Sequence, residues 1–439
     1  MSLIPSLLRR GSLARASVLA VVASAFAVAS TVGTAGADAP KPAASAPAPT
    51  GSVTQITVGG GNRALLKIAL PEWAGDPSAA RTGVDAEGRD FQLSSLFSVL
   101  DPKSFTANLA AEGNTIDPSS WRNVGADGVV KGITSTRGST LHVELRLFVV
   151  SRGSSEVLKR EYDVAPTNVR SAVHQFVNEV IKWFTGTAGS FGSRLVFSAS
   201  TGRGQKGVFA IENDGQSLGR LTTASNVALA PAIGPGGVVY YAGGQPDGTF
   251  ALFRVGMPVV PLKQSGLVFG VAFYGAKMGV VLSQNGQSDI WTGPADGSSL
   301  TKVTSGGINT HPAFGPGGQM AYVSNASGNP QIYVDGKKVS SIGSYNMAPV
   351  WCNDPEGTKV LFMGQDGATW DIFSVNPDGS GMKRLTQNQG SNTYPACSPD
   401  GRMVAFFSTR GGLFVSNLAG QNQQKIADVQ GESLRWEGN

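Results

Sequence analysis

The chain has 439 residues, of which 41% are hydrophobic, 15% are charged and 58 are glycine. Few charges and abundant turn-forming glycine argue against a disordered or largely helical protein and favour an all-β globular part. The net charge is +5, and it falls to +2 without residues 1–37, which carry three arginines and no acidic residue, so electrostatics give no case for binding nucleic acid or an anionic membrane.

The first 37 residues have the three parts of an export signal. Arg9, Arg10 and Arg15 form a basic region, residues 18–29 form a short apolar region, and residues 35–37 (Ala-Gly-Ala) fit a cleavage site of small residues. We therefore expect a signal peptide over 1–37. A membrane anchor is the alternative, but the apolar run is short for spanning a bilayer. The pattern leaves Sec export and twin-arginine export both open.

Alanine, proline and serine dominate residues 38–52, which predicts a flexible arm. Residues 53–185 alternate strand and helix patterns, which predicts a small α/β domain. Predicted strands lie at 53–58, 64–73, 128–135, 141–149 and near 156–163. Three helices are predicted. The first has Leu93, Leu96, Phe97 and Leu100 on one face, and the second is a short helix that begins at Asp117 and contains Trp121. The third is a long helix with apolar residues from Val169 to Phe184, and it ends at Gly186.

From residue 194 to residue 439 the chain repeats. Asp214-Gly215, Asp296-Gly297 and Asp378-Gly379 are separated by 82 residues, and intermediate copies halve that period to about 41. A period of this length, made of short strands and glycine-rich turns, is typical of a β-propeller with one four-stranded blade per repeat. The sequence therefore predicts an α/β N-terminal domain followed by an all-β six-bladed β-propeller over 194–439.

The ends of the repeat predict how the ring closes. The first copy begins at what is the second strand of the other copies, and the last copy is followed by an extra segment. Trp436 in that segment falls where Phe314 and Trp351 fall in their copies. We expect residues 431–437 to supply the innermost strand of blade 1, because an open ring would expose two unpaired sheet edges.

The two cysteines, Cys352 and Cys397, fall on neighbouring blades. An exported protein permits a disulfide. The two residues are one position apart in the repeat, so their side chains point to opposite faces of their sheets. This argues against a disulfide between them and leaves the question open.

The sequence shows no constellation for catalysis, a cofactor or a metal ion. Ser217 lies in a G-x-S-x-G match, but the repeat places it in a hairpin turn rather than a strand-to-helix elbow. The Asp-Gly pairs lack the clustered oxygen ligands of a calcium site, and no two histidines have zinc-ligand spacing. The prediction is a protein that is not an enzyme and holds no cofactor. The propeller of an oligopeptidase-like hydrolase and a periplasmic ligand-binding propeller are the alternatives.

The loops that lead into the innermost strands should open around the channel at one face of the ring, which we call the mouth. Uncharged polar residues mix there with aromatic residues, a composition that suits a protein partner better than a polyanion. These residues serve equally well to shape turns and plug the channel. The candidate binding residues are Asn226, Phe269, Asn309, Thr310, His311, Tyr345, Asn346, Met347, Asn392, Thr393 and Tyr394.

Several motifs together resemble the TolB family of the Tol–Pal cell-envelope system. They are WRNVGADGVVKG (121–132), FTGTAGSFGSRLVFS (184–198) and the blade phrases PACSPDGRMVAFFSTRGG and NPDGSGMKRLT. The resemblance implies a monomeric, non-enzymatic periplasmic protein that supports outer-membrane integrity and cell division. It implies that the mouth binds the peptidoglycan-associated lipoprotein (Pal), with Asn309, Thr310 and His311 matching the stretch that faces Pal.

The resemblance also implies a second partner, TolA, which members of this family bind through their N-terminal segment. The residues that match this segment are Val53, Thr54, Gln55, Ile56, Thr57 and Val58. This chain departs from the family pattern in carrying the arm 38–52 before that segment. The prediction of TolA binding therefore depends on the segment being available behind the arm.

Overall fold

The computed structural model of the protein describes residues 65–223, 227–354 and 356–438. The predicted signal peptide 1–37, the arm 38–52 and the segment Val53–Val58 lie outside the described residues, as does Asn226. No helix within the described ranges combines the length and apolar character needed to cross a membrane.

The described chain up to residue 185 folds as a mixed five-stranded sheet covered by helices. Its elements are β1 (Leu66–Ala69), α1 (Pro77–Leu93), β2 (Phe97–Val99), α2 (Leu109–Glu112), α3 (Pro118–Asn123), β3 (Gly128–Arg137), β4 (Thr140–Val149), β5 (Glu156–Val164) and α4 (Val169–Thr185). The strand order is β2-β1-β3-β4-β5, with β1 parallel to both neighbours and the remaining pairs antiparallel. Helices α1 and α4 share one hydrophobic core with the sheet, which confirms the α/β prediction.

The pattern of Leu93, Leu96, Phe97 and Leu100 was interpreted as a helix, and this prediction is wrong. Helix α1 ends at Leu93, the backbone turns at a left-handed residue (Ser95, φ 58°), and Phe97 begins β2. Strand β2 pairs in parallel with β1, and Phe97 is buried against α1. Four apolar residues at helical spacing also fit a turn followed by a strand, and only the pairing with β1 decides between the two.

The rest of the described chain forms six separate sheets. Their strands are β6 (Arg194–Gly202), β7 (Gln205–Glu212), β8 (Gly219–Arg220), β9 (Ala228–Ile233), β10 (Val239–Gly244), β11 (Phe250–Arg254), β12 (Leu267–Tyr274), β13 (Lys277–Gln284), β14 (Gln287–Pro294), β15 (Thr301–Lys302), β16 (Asn309–Phe314), β17 (Met320–Ser324), β18 (Gln331–Val334), β19 (Lys337–Lys338), β20 (Tyr345–Asp354), β21 (Gly357–Asp366), β22 (Thr369–Val375), β23 (Lys383–Arg384), β24 (Asn392–Cys397), β25 (Met403–Ser408), β26 (Gly412–Asn417), β27 (Gln424–Ala427) and β28 (Glu432–Trp436).

These sheets are the six blades of a β-propeller. Blade 1 has the order β28-β6-β7-β8, blade 2 comprises β9–β11, and blades 3 to 6 comprise β12–β15, β16–β19, β20–β23 and β24–β27. In blade 2 an isolated bridge between Phe253 and Val259 stands in the place of the fourth strand. The first strand of each later blade, and β28 in blade 1, is innermost.

The C-terminal strand closes the ring. Strand β28 pairs antiparallel with β6, with Trp436 opposite Leu195. Leu434 is fully buried in the core that blade 1 shares with blade 6 and the N-terminal domain. Beside this strand, Glu437 forms an ion pair with Arg194 at 2.7 Å. Blade 1 is thus built from both ends of the propeller sequence.

A disulfide joins Cys352 on β20 to Cys397 on β24, whose Cα atoms are 5.4 Å apart. The argument against this bond was wrong, for a geometric reason. Successive blades stack face to face, so the faces that meet are opposite faces of equivalent sheets. Two residues that point to opposite faces within their own blades therefore point toward each other across the gap. The bond spans 45 residues, and a cross-link of that length stabilises a protein by about 3–4 kcal/mol.

The N-terminal domain packs on one end of the propeller. It contacts the turns between first and second strands and between third and fourth strands. Nη2 of Arg402 donates to Thr185 Oγ1 at 2.9 Å, and Nδ2 of Asn422 donates to Ser95 Oγ at 2.8 Å. In an antiparallel blade these two kinds of turn lie at the same end of the strands. The mouth, where the innermost strands begin, is therefore at the opposite end of the ring.

Candidate functional site: the propeller mouth

Each innermost strand contains a β-bulge near the mouth. The pairing register shifts in all six of these strands. Residues with positive φ mark the bulge in five of them, namely Ala230, His311, Ala348, Tyr394 and Ser433. A bulge re-aims the side chains next to it. The candidate residues His311 and Tyr394 thus occupy equivalent positions on blades 4 and 6.

The three asparagines among the described candidates are buried. Nδ2 of Asn309 donates to Asp289 Oδ1 at 2.8 Å, and Nδ2 of Asn346 donates to Gln331 Oε1 at 2.9 Å. Asn392 approaches Asp371 Oδ1 in the same way, at 3.4 Å. Each of these bonds ties the start of one blade to the third strand of the preceding blade. We therefore assign these asparagines a structural role at the floor of the mouth.

The acidic partners of this floor were missed in the sequence. Thr386 Oγ1 donates to Asp371 Oδ1 at 2.7 Å and accepts from the backbone N–H of Ile372 at 2.9 Å. Thr304 and Asp289 repeat the arrangement in blade 3. Asp289 and Asp371 are 82 residues apart, as are the two threonines. This spacing equals two repeats, so it could have identified these residues as equivalent positions of the blades.

The remaining described candidates are half-buried around the channel entrance: Phe269, Thr310, His311, Tyr345, Met347, Thr393 and Tyr394. Burial raises the pKa of the Tyr394 phenol, so it is neutral. Burial, with a smaller effect of the charge on Arg435, lowers the pKa of His311 to about 4, so this imidazole is also neutral at pH 7. The mouth therefore offers neutral hydrogen-bonding and aromatic groups.

One ion pair lies beside these neutral residues. Nζ of Lys206 contacts Glu432 Oε1 at 2.7 Å, at the start of the closing strand β28. Because each charge has its partner, this pair adds no net charge to the mouth.

The serine of the G-x-S-x-G match lies where the repeat predicted. Ser217 occupies the turn between β7 and β8 with φ 57°. The backbone N–H of the preceding residue, Gln216, donates to Asp214 Oδ1 at 2.9 Å. The hairpin prediction is confirmed. The side chain of Ser217 lies at the end of the ring that faces the N-terminal domain, away from the mouth.

A buried charged cluster links the N-terminal domain to blade 1. Nδ1 of His174 donates to Asp90 Oδ2 at 2.7 Å, and Nε2 of His174 lies 3.8 Å from both Glu212 and Asp214. His174, Asp90 and Asp214 are close enough together to hold a metal ion. However, the Arg170 guanidinium already donates to Glu212 and Asp214. Arg170 and His174 supply the positive charge, so we interpret the group as an interdomain ion cluster.

The whole architecture matches one family. The model of the TolB beta propeller domain matches residues 181–433, more than half of the chain, and the model of the TolB amino-terminal domain matches residues 54–155. The chain belongs to the TolB family. It is 29% identical over 404 residues to a TolB homolog of Chlorobium luteolum, covering 88% of this chain and 92% of that protein.

Other TolB proteins agree with this assignment. The Tol-Pal system protein TolB of Anaeromyxobacter dehalogenans (strain 2CP-C) is 32% identical over 250 residues, covering 55% of this chain and 57% of that protein. The crystal structure of TolB from Acinetobacter baumannii superposes with a TM-score of 0.70 at 20% identity, covering 85% of this chain and 97% of that one. This structural likeness supports the fold. The TolB relatives are components of the Tol-Pal system.

Proposed function

We propose that the protein is a non-enzymatic periplasmic adaptor that binds Pal at its propeller mouth and TolA through residues 53–58, and so supports outer-membrane integrity and cell division. The observation that carries the proposal is the mouth itself. Half-buried aromatic and polar side chains surround the channel entrance, at the opposite end of the ring from the described part of the N-terminal domain.

The chemistry of the mouth supports a protein partner. Partly buried aromatic residues in a setting of neutral hydrogen-bonding groups are the usual anchors of protein interfaces. Met347 on blade 5 and Tyr394 on blade 6 pack on the same cluster between those blades. Tyr345 lies two residues before Met347 on β20. The hydrogen bonds of the buried Asn309, Asn346 and Asn392 hold the start of each of these strands in place. A surface held in place before binding loses less conformational entropy when a partner binds.

The first test is a calorimetric titration of the full chain with the soluble domain of Pal. We expect Tyr345→Ala to weaken binding about 10-fold to 100-fold, because a truncated aromatic anchor costs about 1.4–2.7 kcal/mol. Tyr345 is preferable to Asn309 as the target, because Asn309→Ala would also remove the buried hydrogen bond to Asp289.

The matched control is Tyr274→Ala. Tyr274 is 42% exposed at the turn end of β12, far from the mouth, where its hydroxyl donates to the Pro316 carbonyl. This variant should bind Pal like the unmodified protein. Equal affinities for all three proteins, or an equal loss in both variants, would contradict binding at the mouth.

The second test concerns TolA. A chain that begins at residue 59 should lose binding to the soluble domain of TolA while its affinity for Pal falls by less than a factor of ten. The physical reason is that the two proposed surfaces are separate parts of the chain. Retained TolA binding by the shortened chain, measured by the same titration, would rule out residues 53–58 as the contact.

A further inference from the structure

The end of the propeller channel nearest the N-terminal domain contains a cavity of about 220 Å³. Innermost strands of all six blades line it. Its walls are the rings of Phe273, Phe314, Trp351 and Trp436, with small aliphatic residues between them. All of these residues lie in the second half of their strands, next to the turns that face the N-terminal domain. The cavity therefore lies further along the channel than the mouth, toward the N-terminal domain.

Arg435 is the one charged side chain among the described residues that line this cavity. It lies on the closing strand β28, opposite Val196 of β6. Its Nη1 donates to the carbonyl of the adjacent Leu434 at 2.9 Å. Burial lowers the pKa of Arg435 to about 10, so it remains charged at pH 7.

Two other half-buried arginines that lie between strands or domains have acidic partners. Arg170 contacts Glu212 and Asp214, and Arg384 contacts Asp366 and Asp371. Arg435 forms no ion pair with a carboxylate within the described ranges. A cation removed from water without a counter-charge is costly, so it favours any anion that can enter. The neighbouring His311 is neutral and adds no competing charge.

We propose that this cavity is a binding site for a small organic carboxylate, with Arg435 as the anchor. A guanidinium presents parallel donors that match the two oxygens of a carboxylate. The aromatic walls favour a flat apolar body attached to that carboxylate. The volume is smaller than that of most ligand cavities, which are about 300–1,000 Å³, so only a compact anion fits.

The test uses sodium benzoate as the probe and calorimetry on the full chain. We expect benzoate to bind, and Arg435→Met to weaken that binding at least tenfold. Arg435→Lys keeps the charge and loses the paired donors, so its affinity should lie between the two. Benzylamine has the same ring and the opposite charge, and it should not bind.

The control variant is Arg410→Met. Arg410 also lacks a carboxylate partner in the described chain, but it lies at the mouth end of blade 6 with its guanidinium over Phe414. This variant should bind benzoate with unchanged affinity. Thermal unfolding should show that Arg435→Met remains folded, because the substitution removes the free-energy cost of burying a charge that has no counter-charge.

Several results would overturn the proposal. They are no heat of binding for benzoate at millimolar concentrations, equal affinities for the unmodified protein and a folded Arg435→Met, or an equal loss in Arg410→Met. Displacement of benzoate by equimolar chloride would also overturn it, since the site would then select inorganic anions. If Arg435→Met does not fold, the Arg435→Lys variant provides the test. An affinity of this variant for benzoate equal to that of the unmodified protein would contradict recognition by the paired donors of the guanidinium.

Discussion

A chain that ends at Gln430 is expected to lose the cooperative unfolding transition of the propeller. It lacks β28, which pairs with the inner edge of β6 and buries Leu434 completely. The loss removes one strand of a closed ring and exposes sheet edges that then pair with other chains. The expected cost is on the order of the whole stability of a domain, roughly 5–15 kcal/mol. Thermal unfolding followed by circular dichroism measures it.

The control is a chain that ends at Glu437. It keeps β28 and the ion pair between Arg194 and Glu437, so it should unfold like the full chain. Size-exclusion chromatography should show aggregation of the shorter chain alone. A synthetic peptide of residues 431–438 should restore its transition if pairing with β6 is the cause. An unchanged transition in the chain ending at Gln430 would show that the ring is stable without closure by β28.

Replacement of His174 by alanine is expected to destabilise the protein by about 3–5 kcal/mol, because it leaves buried carboxylates without their partner. His174 faces Asp90 from α1, Glu212 and Asp214 from blade 1, and Arg170 from its own helix. The variant should also weaken the packing of the two domains. Urea unfolding measures the free energy, and proteolysis of the linker 186–193 reports the loosened interface.

The same cluster predicts a pH dependence of the free energy of unfolding. Hydrogen bonds and charges of the surrounding carboxylates outweigh burial and raise the pKa of His174 to about 9. Its ordinary value is near 6.5, so the folded state binds this proton more tightly than the unfolded state. The stabilisation is complete below about pH 6.5 and is lost as the pH rises through 9, by about 2–3 kcal/mol. Burial raises the pKa of Glu87 to about 8, which acts in the same direction.

His142→Ala is the matched control for both measurements. His142 lies on β4 and pairs with Asp163, which is 58% exposed, so water screens the interaction. Its replacement should change the free energy of unfolding by no more than about 1 kcal/mol. A flat profile between pH 6.5 and 9 for the unmodified protein, or equal effects of the two histidine variants, would contradict the role given to His174.

The secondary structure was predictable wherever a local period was long or repeated. Helix α4 shows an apolar stripe from Val169 to Ile181 and a glycine end at Gly186, and both are visible in the sequence. The short pattern from Leu93 to Leu100 was not decisive, because β2 exists only through its pairing with β1. The mouth was predictable as a set of loops, but the burial of Asn309, Asn346 and Asn392 was not, because their partners lie in the preceding blades.

By itself the sequence determined the six-bladed ring, the α/β domain before it and the TolB family. These follow from a repeat of about 41 residues and from motifs that each lie within a short stretch of chain. Only the tertiary structure decided that Cys352 bonds to Cys397, that His174 links the two domains, and that Arg435 lines the channel with no carboxylate partner among the described residues. The physical reason is common to all three. Each depends on which faces come into contact when blades and domains stack. The distance in space between two such residues is unrelated to their separation along the chain.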